Sequence, residues 1–255
     1  MIIPAPLSPG DLIDVIEPSS PCDKTLAFRG LGWLREHFRV RFDNSIFSST
    51  GYLAGDDNRR TTELDLALRA PDSKAIVAVR GGYGLHRIAH RIDWTALRTN
   101  PKWLVGFSDA TVLHVEAAKV GVASLHATMV AGLGRGNDLA RTQWIASITH
   151  PLHARRWSGL EVLRSGCAEG TSFGGNITVL HACAASGRLR IPPNSILFIE
   201  DVGEKPYRID RMLTTLRVGG TSKTLLGSLL ENLSTAIKDA TTCVQMMLSA
   251  TCCAI

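Results

Sequence analysis

Short apolar runs that stop at a turn and give way to helix-spaced residues recur along the first half of the chain. This alternation constrains the fold more than any other feature. Leu12–Ile16 stops at Pro18, residues 75–79 run into Arg80-Gly81-Gly82-Tyr83-Gly84, and residues 102–105 run into Gly106-Phe107-Ser108-Asp109. Between them, residues 25–38 carry Leu26, Leu31, Leu34 and Phe38 at helical spacing, and residues 59–70 read as a second helix. Strands that alternate with helices in this way form a mostly parallel sheet covered by helices on both faces. Sites in such sheets gather at the carboxyl ends of the strands, which is where Gly81-Gly82 and Ser108 fall. Further strands are expected at residues 39–42 and 124–129 and a helix at 85–92.

The fold class is therefore α/β, with a Rossmann-like N-terminal domain over residues 1–145. Residues 132–141 are polar and glycine-rich, and 144–157 show no period, so a linker is placed at 146–165. A smaller α/β domain follows over 166–255, and the sequence leaves its completeness open. It contains an expected helix at 176–185, a buried strand at 195–199 ending in Glu200-Asp201, and a helix at 206–216 with Pro206 in its first turn.

Composition narrows the function. The net charge is +5, but the basic residues are scattered, and the densest patch, residues 86–91, is interleaved with apolar residues. A nucleic-acid stripe is not the expectation. No run approaches the ~20 apolar residues that span a bilayer, and residues 1–6 lack the basic start of a signal peptide. The six cysteines form no C-x-x-C pair and no ligand spacing with histidine, so no metal and no cofactor are implied. The final Cys252-Cys253-Ala254-Ile255 fits a prenylation box with no basic residues before it, and is taken as chance.

Chemistry is suggested at two turns. Gly106-Phe107-Ser108-Asp109-Ala110-Thr111 has the layout of a nucleophile elbow, although Ala110 stands where the usual G-x-S-x-G has glycine. A plain helix cap by Ser108 or Asp109 explains the same residues. Arg80-Gly81-Gly82-Tyr83-Gly84 lacks the G-x-G-x-x-G spacing of a dinucleotide loop, and a tight βα turn accounts for it.

Five motifs stand in order along the chain: Leu7-Ser8-Pro9-Gly10-Asp11 with Pro18-Ser19-Ser20-Pro21, the 80–84 turn, the 106–111 elbow, Phe173-Gly174-Gly175-Asn176, and Glu200 through Leu213. Taken together, they resemble the LD-carboxypeptidase family, serine peptidases of the S66 type that include muramoyl-tetrapeptide carboxypeptidases and microcin C self-immunity proteins. The resemblance implies Ser108 as nucleophile, Glu200 as the acid of a Ser-Glu-His triad, and the backbone N–H groups of Gly82 and Asp109 as the oxyanion hole. It implies cleavage of an amide between an L-centre and a D-residue, such as the terminal D-Ala of murein tetrapeptides, by a cytoplasmic homodimer acting on a peptide substrate. A microcin-type immunity peptidase and a non-catalytic remnant that binds muropeptide are the alternatives. The family's catalytic histidine belongs to the C-terminal part, yet residues 221–255 contain no histidine, so the base is unknown. A frameshifted reading frame and a diverged, poorly ordered terminus both account for that stretch. Without the base, little activity is expected beyond what an oxyanion hole and binding supply.

Overall fold

The computed structural model describes residues 1–153, 161–163, 165–220 and 225–231. The chain divides into two units, Met1–His153 and Ala154–Ile255. In the first, β1 (Leu12–Ile16), β2 (Arg39–Arg41), β3 (Ser73–Ala78), β4 (Trp103–Gly106) and β5 (Leu125–His126) form one sheet in the order β2-β1-β3-β4-β5. Every pairing is parallel. The runs of β3 and β4 are apolar because both faces of the sheet are covered, so alternation with polar residues is lost. The order reverses around β1, and the crevice at such a reversal opens above the carboxyl ends of β1 and β3.

The helices of this unit are α1 (Lys24–Arg35), α2 (Asp57–Arg69), α3 (Leu85–Ile88), α4 (Thr95–Thr99), α5 (Thr111–Lys119), α6 (Val130–Leu133) and α7 (Asp138–Thr149). Asp23 and Asp56 start α1 and α2, each accepting a hydrogen bond from a backbone N–H three residues on. At the other end of α2, the buried Lys102 ammonium donates to the carbonyls of Ala67 at 2.9 Å and Ala70 at 2.5 Å. Burial pulls its pKa down to about 8.

Two segments differ from the sequence expectation. Residues 138–149, which join the end of the polar 132–141 stretch to the start of the aperiodic 144–157 stretch, form α7, which buries Trp144 edge-on against Trp33 at 6.0 Å and Phe38 at 6.2 Å. The first unit therefore runs past residue 145, to His153. The strand expected over 124–129 pairs only at Leu125–His126, since the chain turns away into α6.

In the second unit, β6 (Thr171–Asn176), β7 (Ser195–Glu200) and β8 (Leu225–Glu231) form a parallel sheet in that order. Helices α8 (Ile177–Ala185) and α9 (Pro206–Val218) make the crossovers, with Pro206 in the first turn of α9. Of residues 221–255 only this β8 segment is described; the expectation of a diverged or poorly ordered end otherwise lies outside the described residues.

Candidate active site

Ser108 sits where β4 ends and α5 begins. Phe107 is extended (φ −149°), Ser108 takes left-handed backbone (φ 61°), and residues Ser108–Ala110 make a single 3-10 turn into the helix. A non-glycine residue in that region costs on the order of 1–3 kcal/mol and persists only where its surroundings enforce it. Gly106 permits the turn: a Cβ there would lie 2.6 Å from the Cβ of Ala110, so only glycine lets it close this tightly. The Ser108 side chain is half-buried. Neither Ser108 nor Asp109 caps the turn or the helix through its side chain, which separates this geometry from the simple cap.

The second turn follows β3. Gly82 (φ 106°) and Gly84 (φ 143°) hold backbone that other residues rarely adopt. Ser20, in the loop after β1, clasps this turn: its N–H donates to the Gly81 carbonyl at 3.3 Å, and its hydroxyl accepts from the Tyr83 N–H at 3.1 Å. Gly81 faces the elbow, with the position of a Cβ only 3.1 Å from Ser108 Oγ. Among the described residues, neither the Gly82 nor the Asp109 amide finds an acceptor.

Asp109 points inward and is buried. Its Oδ2 accepts from the Ser19 hydroxyl at 2.7 Å and from the Leu85 N–H at 2.9 Å. Burial raises its pKa, opposed by those two hydrogen bonds and by the charge of Arg60. Arg60 is fully buried and donates to the Pro18 carbonyl and to Asp57. Beneath the same loop lies Glu17, fully buried, neither of whose carboxyl oxygens has a hydrogen-bond partner among the described residues. Burial and the neighbouring Glu63 push its pKa well above the usual carboxylate value. Sequence reasoning missed Asp109's carboxylate, Arg60 and Glu17. The Pro18-Ser19-Ser20-Pro21 motif was the only signal pointing to this loop.

The histidines near the elbow are accounted for differently. His114 on α5 is buried; its Nε2 donates to the Gly106 carbonyl at 2.9 Å, and its Nδ1 faces the Ser124 hydroxyl at 2.8 Å. Both nitrogens are occupied, and burial holds its pKa down at about 4. His126 lies opposite Gly106 in the β4–β5 register, its ring 6.1 Å from that of Phe107. Burial, and to a lesser degree His114, lowers its pKa to about 4.

In the second unit, Glu200 is the last residue of β7, buried at 6% exposure, with its backbone paired between Asn176 and Glu231. The adjacent Asp201 accepts from the hydroxyl of Thr178 at 2.8 Å and from its N–H at 3.3 Å, fixing the start of α8.

Among the described residues, no group of three His, Cys, Asp or Glu side chains could hold a metal ion, and no helix is long and apolar enough to cross a membrane. A cavity of about 790 Å³ runs along α2, lined among others by Asp14, Arg41, Phe42, Arg59 and Glu63. No residue of the elbow or of the 81–84 turn lines it, so it is separate from the Ser108 site.

Comparison with known proteins gives the family. Residues 13–127 match the LD-carboxypeptidase N-terminal domain, and residues 169–250 match the LD-carboxypeptidase C-terminal domain. The C-terminal match continues past Gly220, where the motif resemblance stops. A probable murein peptide carboxypeptidase of Bacillus subtilis (strain 168) is 34% identical over 224 residues, covering 85% of this chain and 70% of that protein. The microcin C7 self-immunity protein MccF of Escherichia coli is 25% identical over 254 residues, covering 85% and 74%. The crystal structure of a muramoyltetrapeptide carboxypeptidase from Oxalobacter formigenes superposes with a TM-score of 0.83 at 26% identity, covering 94% of this chain and 86% of that one. With both domains matched in order, the chain belongs to the LD-carboxypeptidase family.

Proposed function

We propose that this chain is a serine LD-carboxypeptidase that releases the terminal D-Ala of murein tetrapeptides, with peptidoglycan recycling in the cytoplasm as its setting. The observation that carries the reading is the left-handed Ser108 at the carboxyl end of β4, with the glycine turn of β3 packed against its side chain. The Ser108 hydroxyl attacks the carbonyl of the L,D-amide, and the Gly82 and Asp109 amides receive the charge that develops on its oxygen. The proton passes through a base to the departing D-Ala nitrogen, and water then hydrolyses the acyl-enzyme. Glu200 orients the base and stabilises it once charged.

Residues 221–255 hold no histidine, and His114 has both nitrogens engaged. This favours a second reading, in which the chain binds muropeptide without turning it over. Purified protein incubated with a disaccharide-tetrapeptide separates the two. D-Ala release that disappears in Ser108→Ala establishes the peptidase; binding of the same ligand without release, equal in both proteins, establishes the second reading. Neither binding nor release, together with clearance of a peptidyl-nucleotide, would move the chain to the immunity type.

A further inference from the structure

We infer that Asp109 is a positioning residue whose carboxylate holds the two halves of the oxyanion hole together. The inference rests on the peptidase reading and adds to it a function for a side chain that contributes otherwise only its backbone N–H. The elbow supplies one amide, that of Asp109 itself; the turn after β3 supplies the other, that of Gly82. Nothing in the local sequence joins them, for Leu85 and Asp109 are 24 positions apart. The junction is one buried oxygen. Asp109 Oδ2 accepts the Leu85 N–H, closing the 81–84 turn from the elbow side, while Ser20 closes it from the β1 side. The same oxygen takes the Ser19 hydroxyl, itself fully buried and 90 positions away, so three loops meet on one atom. Leu85 is the first residue of α3, whose leading N–H groups have no partner within the helix. A buried carboxylate that serves one of these donors stiffens the turn, and the left-handed Ser108 keeps that carboxylate in register with the nucleophile. Arg60, one of the charges acting on Asp109, partly offsets its burial.

Three variants test this: Asp109→Ala removes the acceptor, Asp109→Asn retains an oxygen for Leu85, and Ser19→Ala removes one donor while sparing the Leu85 bond. Peptide-resolved amide exchange over residues 80–88 and steady-state D-Ala release are measured on each folded variant. In Asp109→Ala, exchange over 80–88 rises while β4 stays protected. Its kcat falls by roughly 100-fold, the scale of losing an oxyanion donor, with KM nearly unchanged. Asp109→Asn recovers most of both, and Ser19→Ala shows a smaller change of the same kind. Unchanged exchange over 80–88 in Asp109→Ala overturns the proposal, as does a lowered melting temperature with normal kcat for the folded fraction. Should Asp109→Ala fail to fold, Ser19→Ala and Asp109→Asn decide by the same two readouts. A wild-type chain no faster than Ser108→Ala refutes the peptidase reading instead, and the exchange comparison still decides whether Asp109 holds the turn.

Discussion

Arg60 donates from the centre of the first unit to the carbonyl of Pro18 at 2.6 Å, so a fully buried cation supports the loop that carries Ser19 and Ser20. Its other nitrogen reaches Asp57, which also binds the exposed Arg87. Removing Arg60 leaves a buried carbonyl without its donor, at a cost of roughly 1–3 kcal/mol. Arg60→Met is expected to lower the melting temperature, and Arg60→Lys to recover little, since an ammonium cannot span both acceptors as a guanidinium does. Arg87→Met, on the exposed side of the same carboxylate, serves as control and should change stability far less.

Gly81→Ala tests the packing of the turn on the nucleophile. The added methyl would stand 3.0 Å from Ser108 Cβ and 3.1 Å from its Oγ, closer than the side chain tolerates without shifting. D-Ala release should fall by at least about tenfold for a displaced nucleophile, while the thermal midpoint moves little. A loss of stability with an undiminished rate would show that the turn does not bear on Ser108.

Glu17 makes stability depend on pH in a direction opposite to most carboxylates. Its folded pKa is raised by burial and Glu63, against the opposing charges of Arg59 and Arg80. The folded state therefore keeps a proton that the unfolded state releases above about pH 4.5. Stability from this group is full below that pH and is lost as pH rises toward the folded pKa. Glu17→Gln should raise the urea midpoint at pH 7, with the gain vanishing near pH 4.

His114 works in the other sense. Its pKa falls from 6.5 unfolded to about 4 folded, so its contribution is full above pH 6.5 and is lost as pH drops through about 4. The loss is on the order of 3 kcal/mol at the acid end. His114→Gln should flatten the fall in stability between pH 6.5 and 4; His126, shifted the same way, adds to that fall, while Glu17 works against it.

The elements that local periodicity encodes were legible in the chain. Leu12–Ile16, residues 75–79 and residues 102–105 each read as strands, and β1, β3 and β4 lie there, because a short apolar run with a turn at its end has few other uses. At the elbow, Gly106 and the helix-forming residues after Ser108 fitted a nucleophile turn and a plain helix cap alike, and the left-handed Ser108 backbone without a side-chain cap separates the two. Helix α7 was not: it buries Trp144, Ser147 and Ile148 but exposes Leu139, so its apolar residues do not gather on one face. Its place is decided by Trp33 and Phe38, which lie more than a hundred positions earlier.

Apart from α7, the order of strands and helices and the two turns follow from residues near one another in the chain, and the family follows from motifs spread along it. Tertiary structure alone decided that Asp109 meets Ser19 across 90 positions, that Arg60 reaches Pro18, and that both nitrogens of His114 are occupied. The physical reason is that a buried polar group must find its partner wherever the fold brings one, and periodicity carries no record of which partner that is.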